Sequence, residues 1–344
     1  MKLKRFCAWL LCFWEAFFCC FVVNAQNPAS PSSNTELVEC NGYYFAISTE
    51  ETSAHQVVKH YDRSTENTRN TKTARSPDLS ETEALLLAMG WDQQMVDNLT
   101  YEALQEYATC EQITTTVSYA RISEQGDAEY ISQQEALSEA ATYVERPEEV
   151  SKVTNKTYIR LTHTATYFGN ALYRFSTDAV WLTMPLWQQP DSIGSCASQI
   201  AIDNDTRAGQ IIYVKEYTNN ITGEAYTQTF TQDITQFKNA INGNWYGSVG
   251  IFSFPYCGVY DDITVACISL RAHYEFKAYV YQPELAANFN SVGTYWHTEG
   301  FHGLNTSISI SFGFDDIVSA TIGFDPQIDN DPISAELLIH YTPD

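Results

Sequence analysis

His297-Thr-Glu-Gly-Phe-His302 contains the ingredients of a zinc site without its spacing. A helical zinc-protease motif needs two histidines four residues apart, with glutamate directly after the first. Here the histidines are five apart, the glutamate comes two residues after the first, and Gly300 interrupts the run, so the stretch reads as a polar loop. Cys196 beside Ser195 would act as a nucleophile only with a base such as His163 or His273 within hydrogen-bond reach, and no recognised local pattern surrounds any of them. Gly-x-Ser-x-Gly and phosphate-loop patterns are absent. The sequence therefore nominates no catalytic residue. Asp261, Asp262 and Glu299 are the loop carboxylates left for acid-base work, and a pair of them acts together only at a fitting separation.

Asp325, Asp329, Asn330 and Asp331 cluster around Pro326 and Pro332, and Asp203-Asn-Asp205 forms a second polar knot. Oxygen donors this close together suit calcium, the one cofactor the chain suggests, although the spacing is not that of an EF-hand loop. Ordinary acidic turns give the same pattern. Tyr, Phe and Trp number 22, 18 and 7, enough to fill a core and still furnish a surface. Trp181, Trp187, Trp245 and Trp296, with Tyr256 and Tyr260, fall at strand ends or loops, where flat rings stack on sugars or anchor a partner. Packing inside a β-sandwich is the other use for them.

Positioning falls to extended elements. Asp262–Gln282 alternates strictly: Thr264, Ala266, Ile268, Leu270, Ala272, Tyr274, Phe276, Ala278 and Val280 make one face. The opposite face turns from apolar to polar through Ser269, Arg271, His273, Glu275 and Lys277. At about 3.3 Å per residue this strand would be several times the usual length, so it either bends at a bulge to serve two sheets or marks an elongated β protein. Nine further strand candidates run from Tyr158 to Tyr341. Asn219, Asn220, Thr222 and Gly223 supply a turn between two of them. Ser307–Phe314 and Ile317–Phe324 form a hairpin with Ser opposite Ile and Phe, a pattern shared by half-buried hairpins and membrane-inserting ones. Upstream, Ser80 with Glu83 and Ser132 with Glu135 are capping boxes, Asp92 and Thr100 are helix caps, and Gly90 is placed to end a helix.

Lys2, Lys4 and Arg5 precede an apolar run from Phe6 to Val23 and a small-residue cleavage site, which together make a secretory signal peptide over residues 1–25. Left uncleaved, the run would be a single-span anchor burdened by Glu15. Removing three basic and one acidic residue takes the net charge from -23 to -25, which repels nucleic acid and anionic lipid. Five cysteines remain, an odd number. Cys257 and Cys267 flank a turn, where they suit either a hairpin disulfide or two reduced thiols. The organisation expected is a linker and partly disordered segment over 26–78, a small helical region over 79–150, and a β-rich domain over 151–344. The class is α+β, with an antiparallel sandwich-like or elongated β half.

Ser80-Glu-Thr-Glu-Ala-Leu-Leu-Leu-Ala-Met-Gly90, Glu129-Tyr-Ile-Ser-Gln-Gln-Glu-Ala136, Trp181-Leu-Thr-Met-Pro185 and Asp191-Ser-Ile-Gly194 carry a resemblance. Behind a signal peptide, this series resembles a group of uncharacterised secreted proteins of Gram-positive bacteria, best over residues 80–200. The resemblance implies export and layout, and no activity or catalytic residue comes with it.

These observations lead to an extracellular, non-enzymatic binding or surface-interaction protein, with a glycan or a protein as partner. Two other readings stay open: a pore-forming β protein, from the long strand and the Ser/Ile hairpin, and a secreted hydrolase using loop carboxylates.

Overall fold

Thr, Tyr, Ile and Val become frequent after Lys156, and β-branched and aromatic side chains suit a pleated, half-buried surface. The computed structural model describes residues 34–344 except 53–55, 67–77, 123–127, 146–156, 185–189, 243, 254, 256, 286, 297–308, 313–319, 324–332 and 342–344, and it is dominated by strands. The signal peptide expected over residues 1–25 lies outside these residues. Among the described residues no helix is long and apolar enough to cross a membrane.

Three strands come first: β1 (Asn34–Cys40), β2 (Tyr43–Glu51) and β3 (Val57–Asp62). A one-turn α1 (Arg63–Glu66) and the helices α2 (Leu79–Ala88), α3 (Gln93–Asp97) and α4 (Tyr101–Tyr107) follow. Next are β4 (Gln112–Ile122), β5 (Ala128–Ile131), α5 (Gln133–Glu145), β6 (Thr157–Tyr167) and β7 (Leu172–Trp181). The chain continues through β8 (Pro190–Ser198), β9 (Ile200–Asn219), β10 (Ala225–Asp233), β11 (Gln236–Asn242), β12 (Trp245–Ser253), β13 (Gly258–Tyr260) and β14 (Ile263–Val280). It closes with β15 (Ala287–Trp296), β16 (Ser309–Phe312), β17 (Ala320–Gly323) and β18 (Ile333–Tyr341).

The larger sheet runs β1-β2-β3-β4-β6-β7-β14-β9-β10, with β5 on β4 and β13 on β14; the smaller runs β11-β12-β8-β15-β18. Among the described residues β16 and β17, the arms of the Ser/Ile hairpin, pair only with each other. The expected α+β class with an antiparallel β majority holds. The helices, however, do not form a separate N-terminal region. Strands precede them, and β4 and β6, on either side of the composition shift, pair from Gln112↔Tyr167 to Ile122↔Thr157.

Local signals set the helix ends. Asp78 caps α2 by accepting from Ser80 N at 3.1 Å, so Ser80 sits inside the helix where a capping box would have made it the cap. Asp92 and Thr100 cap α3 and α4, and Ser132 Oγ accepts from Glu135 N at 3.2 Å ahead of α5, as their positions predict. Gly90 ends α2 at φ +105°, with Trp91 N donating to Leu86 O and Gly90 N to Leu87 O.

β14 stays within one sheet, between β7 and β9, and does not serve two. Its register on β9 jumps from Cys267↔Lys215 to Ser269↔Val214, which leaves Ile268 as an extra, exposed residue. That bulge exchanges the buried parity: Val265 and Cys267 are buried before it, Leu270, Ala272, Tyr274 and Phe276 after it. The single face read from the sequence therefore holds only beyond Ile268. A second irregularity, between Glu275↔Ala208 and Lys277↔Asp203, puts the extra residues on β9.

The two sheets pack face to face over a core that includes Phe175, Phe276 and Phe289. Close approach has a sequence cause at Gly293 of β15, where a Cβ would lie 2.6 Å from Thr177 Oγ1 and 2.7 Å from the His163 ring. A second cluster, including Phe45, Ile47, Leu86, Trp91 and Tyr107, packs the helices on the other face of the large sheet.

Candidate functional site

The polar face of β14 is not wet. Helices α2–α4 and their connections cover it, and they bring acids to its bases. Asp92, the cap of α3, accepts from Arg271 Nε at 2.8 Å and lies 3.6 Å from Arg160. Glu106 of α4 pairs with Arg174 and Lys277, and the Arg174 guanidinium lies 4.8 Å over the Tyr107 ring. Beneath Tyr107, His273 Nδ1 is 2.8 Å from Asp178 Oδ1 and its Nε2 is 3.4 Å from Glu275 Oε2. Burial pushes His273 down, but its two carboxylates outweigh burial and hold it up at about 10. Burial pushes Glu275 up, and the hydrogen bond from His273 with the nearby Arg174 brings it down to about 2. This is an acid-base constellation by residue type. Asp178 and His273 are closed off beneath the helices, so the cluster acts as an internal brace.

A second buried chain lies between the sheets. His163 Nε2 is 2.6 Å from Ser291 Oγ, its Nδ1 is 3.1 Å from Thr177 Oγ1, and Thr177 Oγ1 is 2.8 Å from Ser195 Oγ. Burial drives His163 down to about 3, partly opposed by the Ser176 carbonyl, so the ring is neutral. Ser291, Ser195 and His163 are fully enclosed. Cys196 is buried as well, and burial raises its thiol far above the ordinary range, which removes it as a nucleophile.

Residues singled out from the sequence are placed as follows. Trp181 and Trp296 are 4% and 7% exposed, and Trp181 donates from Nε1 to Tyr295 OH at 3.0 Å. Neither offers a stacking surface: the alternation of β7 turns Trp181 toward the facing sheet, and Trp296, next to the inward-facing Tyr295, is buried on the opposite face of β15. Trp245 is half-buried at the start of β12. Trp187, Tyr256, Glu299, His297 to His302, and the calcium candidates Asp325, Asp329 and Asp331 lie outside the described residues. Asp203-Asn-Asp205 is the β9 bulge, tied down by Asn239 Nδ2 to Asn204 Oδ1 at 2.6 Å and by Lys277 N to Thr206 Oγ1 at 2.8 Å. Among the described residues no three His, Cys, Asp or Glu side chains converge as a metal-binding group. Asp261 and Asp262 are exposed in the β13–β14 turn.

Cys257 and Cys267 are free thiols, which corrects the hairpin disulfide. Gly258 pairs with Val265, and extending that register sets Cys257 opposite Ala266 rather than Cys267. The Cys257 sulfur instead accepts from Cys267 N at 3.0 Å.

The surface feature that the sequence did not nominate is a ladder of rings on β9 and β10. Tyr217 and Tyr226 stack at 4.9 Å and 7°, and Tyr213 and Phe230 at 5.2 Å and 16°. Each pair is directly opposite in the hairpin register. Lys215, between the tyrosines on β9, holds its ammonium 5.8 Å from the Tyr213 ring and 5.9 Å from Phe230. Gln228 completes the row opposite Lys215, and β10 is exposed along nearly its whole length. Reflecting the sequence about the Asn219–Gly223 turn would have paired the same rings. A flat aromatic strip with one cation and one amide can stack a ligand and hydrogen-bond to it.

No family model and no curated protein matches the chain. A solved structure described as "AvmM Catalyzes Macrocyclization in Alchivemycin A Biosynthesis" overlaps 51% of this chain and 84% of its own at 7% identity and a TM-score of 0.23. Another, described as "BspA_C_mut", overlaps 76% of this chain and 93% of its own at 8% identity and a TM-score of 0.18. Similarity at that level carries no inference to this chain, and the functional reading rests on its own residues.

Proposed function

We propose that this chain is an exported, non-enzymatic protein that binds a glycan at an extracellular surface through the ring ladder of β9 and β10. The observation behind this reading is the pre-stacked pairs Tyr217–Tyr226 and Tyr213–Phe230 around Lys215. Rings fixed by cross-strand packing lose little further freedom on binding, so more of the stacking energy appears as affinity. Sugar rings present flat C–H faces to such a strip, while Lys215 and Gln228 meet hydroxyl or acidic groups at its centre. The candidate acid-base groups elsewhere are enclosed and engaged, His273 with Asp178 and His163 with Ser291 and Thr177, which favours binding over hydrolysis.

The test is a glycan array and a cell-surface protein screen with the full chain beside a Tyr226→Ala/Phe230→Ala variant. A glycan ligand weakened about tenfold or more by the double substitution is the expected result. Binding that ignores the substitutions, capture by proteins alone, or release of cleaved sugar from the array would overturn it.

A further inference from the structure

The end of the ribbon β13-β14-β9-β10 gathers large apolar side chains that a solvated tip has no reason to carry. Ile221 in the β9–β10 turn is 74% exposed and Val259 of β13 is 67% exposed; Tyr226, Tyr260 and Ile263 are exposed beside them. The register gathers them at one end of the ribbon: Tyr260↔Ile263, Ile263↔Asn219 and Tyr226↔Tyr217 put Tyr260, Ile263 and Tyr226 on one face, while Val259, opposite Thr264, projects from the other face at the same end.

The amides of the β9–β10 turn at this tip are turned inward. Asn219 N donates to Glu224 O at 2.8 Å, Asn220 N to Asp262 O at 2.7 Å, and Gly223 N to Asn219 O at 2.8 Å. Ile221 N and Thr222 N donate to Asn219 Oδ1 at 2.9 and 3.0 Å, and Glu224 N to Thr222 Oγ1 at 3.3 Å. Every amide from 219 to 224 thus has an acceptor within the protein. Unsatisfied backbone groups are what keep turns out of a membrane, and this turn would leave water without exposing any such amide.

Charge selects the surface. Glu224, Asp261 and Asp262 rim the tip, all exposed. Carboxylates repel anionic headgroups, whereas a phosphatidylcholine bilayer shows its choline ammonium groups outermost, and tyrosine faces attract quaternary ammonium. Tyrosine is also a side chain that settles at the headgroup level, with its ring inward and its hydroxyl in water.

We propose that this tip is a membrane-interface contact that docks shallowly on a phosphatidylcholine surface, with Ile221 and Val259 entering the acyl boundary and the acids staying among the cholines. The contact places the ring ladder beside the membrane. It rests on the glycan-binding reading only for the ladder's place beside the membrane; its inserting residues, Ile221 and Val259, lie outside the ladder, so it can fail without affecting the ladder.

Flotation of the full chain with vesicles of phosphatidylcholine alone, and with phosphatidylserine replacing part of it, tests the proposal. The chain floats with phosphatidylcholine, phosphatidylserine weakens it, and Ile221→Ser/Val259→Ser lowers partitioning about tenfold while the far-ultraviolet spectrum is unchanged. Tyr260→Trp serves as an independent reporter, its emission moving to the blue on these vesicles while entrapped dye stays inside. No flotation of the parent chain, a requirement for anionic lipid, an unaffected double variant, or dye release would each overturn shallow docking. Binding to protein-bearing cell surfaces but not to vesicles of their extracted lipid would assign the tip to a protein and overturn it equally.

Discussion

His273 of β14 and Asp178 of β7 are cross-strand partners whose side chains meet at 2.8 Å beneath Trp91 and Tyr107. The pair fastens the helices to the sheet, because Tyr107 OH reaches Glu275, the second carboxylate on His273, at 3.2 Å. Removing one member strands a buried charge, so Asp178→Ala lowers stability by about 3–5 kcal/mol in urea denaturation. His273 titrates above its unfolded value near 6.5, so its contribution is fully present below that pH and is lost as pH rises through about 10. The urea midpoint should fall across that window, and His273→Gln should flatten the decline. An equal decline in both proteins would show that the pair does not carry it.

His163 has the opposite sign. Its pKa is held down at about 3, so its contribution is present above about 6.5 and drains as pH falls toward 3. Glu336, raised by burial to about 7, works against it in the same window, so the comparison belongs in a Glu336→Gln background. There, His163→Gln should reduce the loss of stability between about pH 6.5 and 4.5. Retention of the full acid slope would place its origin elsewhere.

Two buried glycines should tolerate no methyl group, Gly194 because β12 of its own sheet crowds it and Gly293 because the facing sheet does. In Gly194→Ala the new Cβ would lie 2.5 Å from the Ser248 carbonyl oxygen, and in Gly293→Ala 2.6 Å from Thr177 Oγ1. Each should lose about 1–3 kcal/mol or more by overpacking. Gly223→Ala in the β9–β10 turn, with open space but φ +74°, should lose only about 1–2 kcal/mol from the left-handed backbone. Thermal midpoints of the three rank these effects, and an unchanged midpoint for Gly293→Ala would contradict the packing between β15 and β6–β7.

Ile268 is the residue of β14 that the register does not use. Deleting it makes Cys267 and Ser269 consecutive partners of Lys215 and Val214 and keeps Cys267 and Leu270 on one face, so the deletion variant should fold with a lowered midpoint. Deleting Ala272 instead sends Tyr274 and Phe276 to the helix side, and no soluble folded protein is expected. Circular dichroism and soluble yield compare the two; equal outcomes would argue against the bulge.

Free thiols leave a chemical trace. Alkylation of the native protein followed by peptide mapping should label Cys257 and Cys40, both partly exposed, well before buried Cys110, Cys196 and Cys267. Burial pushes Cys110 up to about 11 and Cys267 up to about 12, which slows them further. A peptide in which Cys257 and Cys267 are joined would restore the disulfide.

Local physics alone settled a good part of this protein. Alternation over Ile263–Val280 specifies a strand, Asp92, Thr100 and Ser132 stop the backbone from frustrating its first turns, and Gly90 takes the left-handed residue that ends α2. Those outcomes depend on neighbours a few residues away, and the antiparallel, β-rich class follows from repeating them. Tertiary structure decided the rest, because each remaining feature depends on what comes to lie opposite. The polar face of β14 became an ionic brace once acids from α3 and α4 arrived over Arg271 and Lys277. A single bulge at Ile268 reassigned the buried side, and a one-residue offset between β13 and β14 kept Cys257 and Cys267 apart as thiols. Tyr213 and Phe230 form a surface only because the hairpin register places them side by side. Period-two patterning shows that a strand has two faces, while the partner packed on each face determines which one is buried.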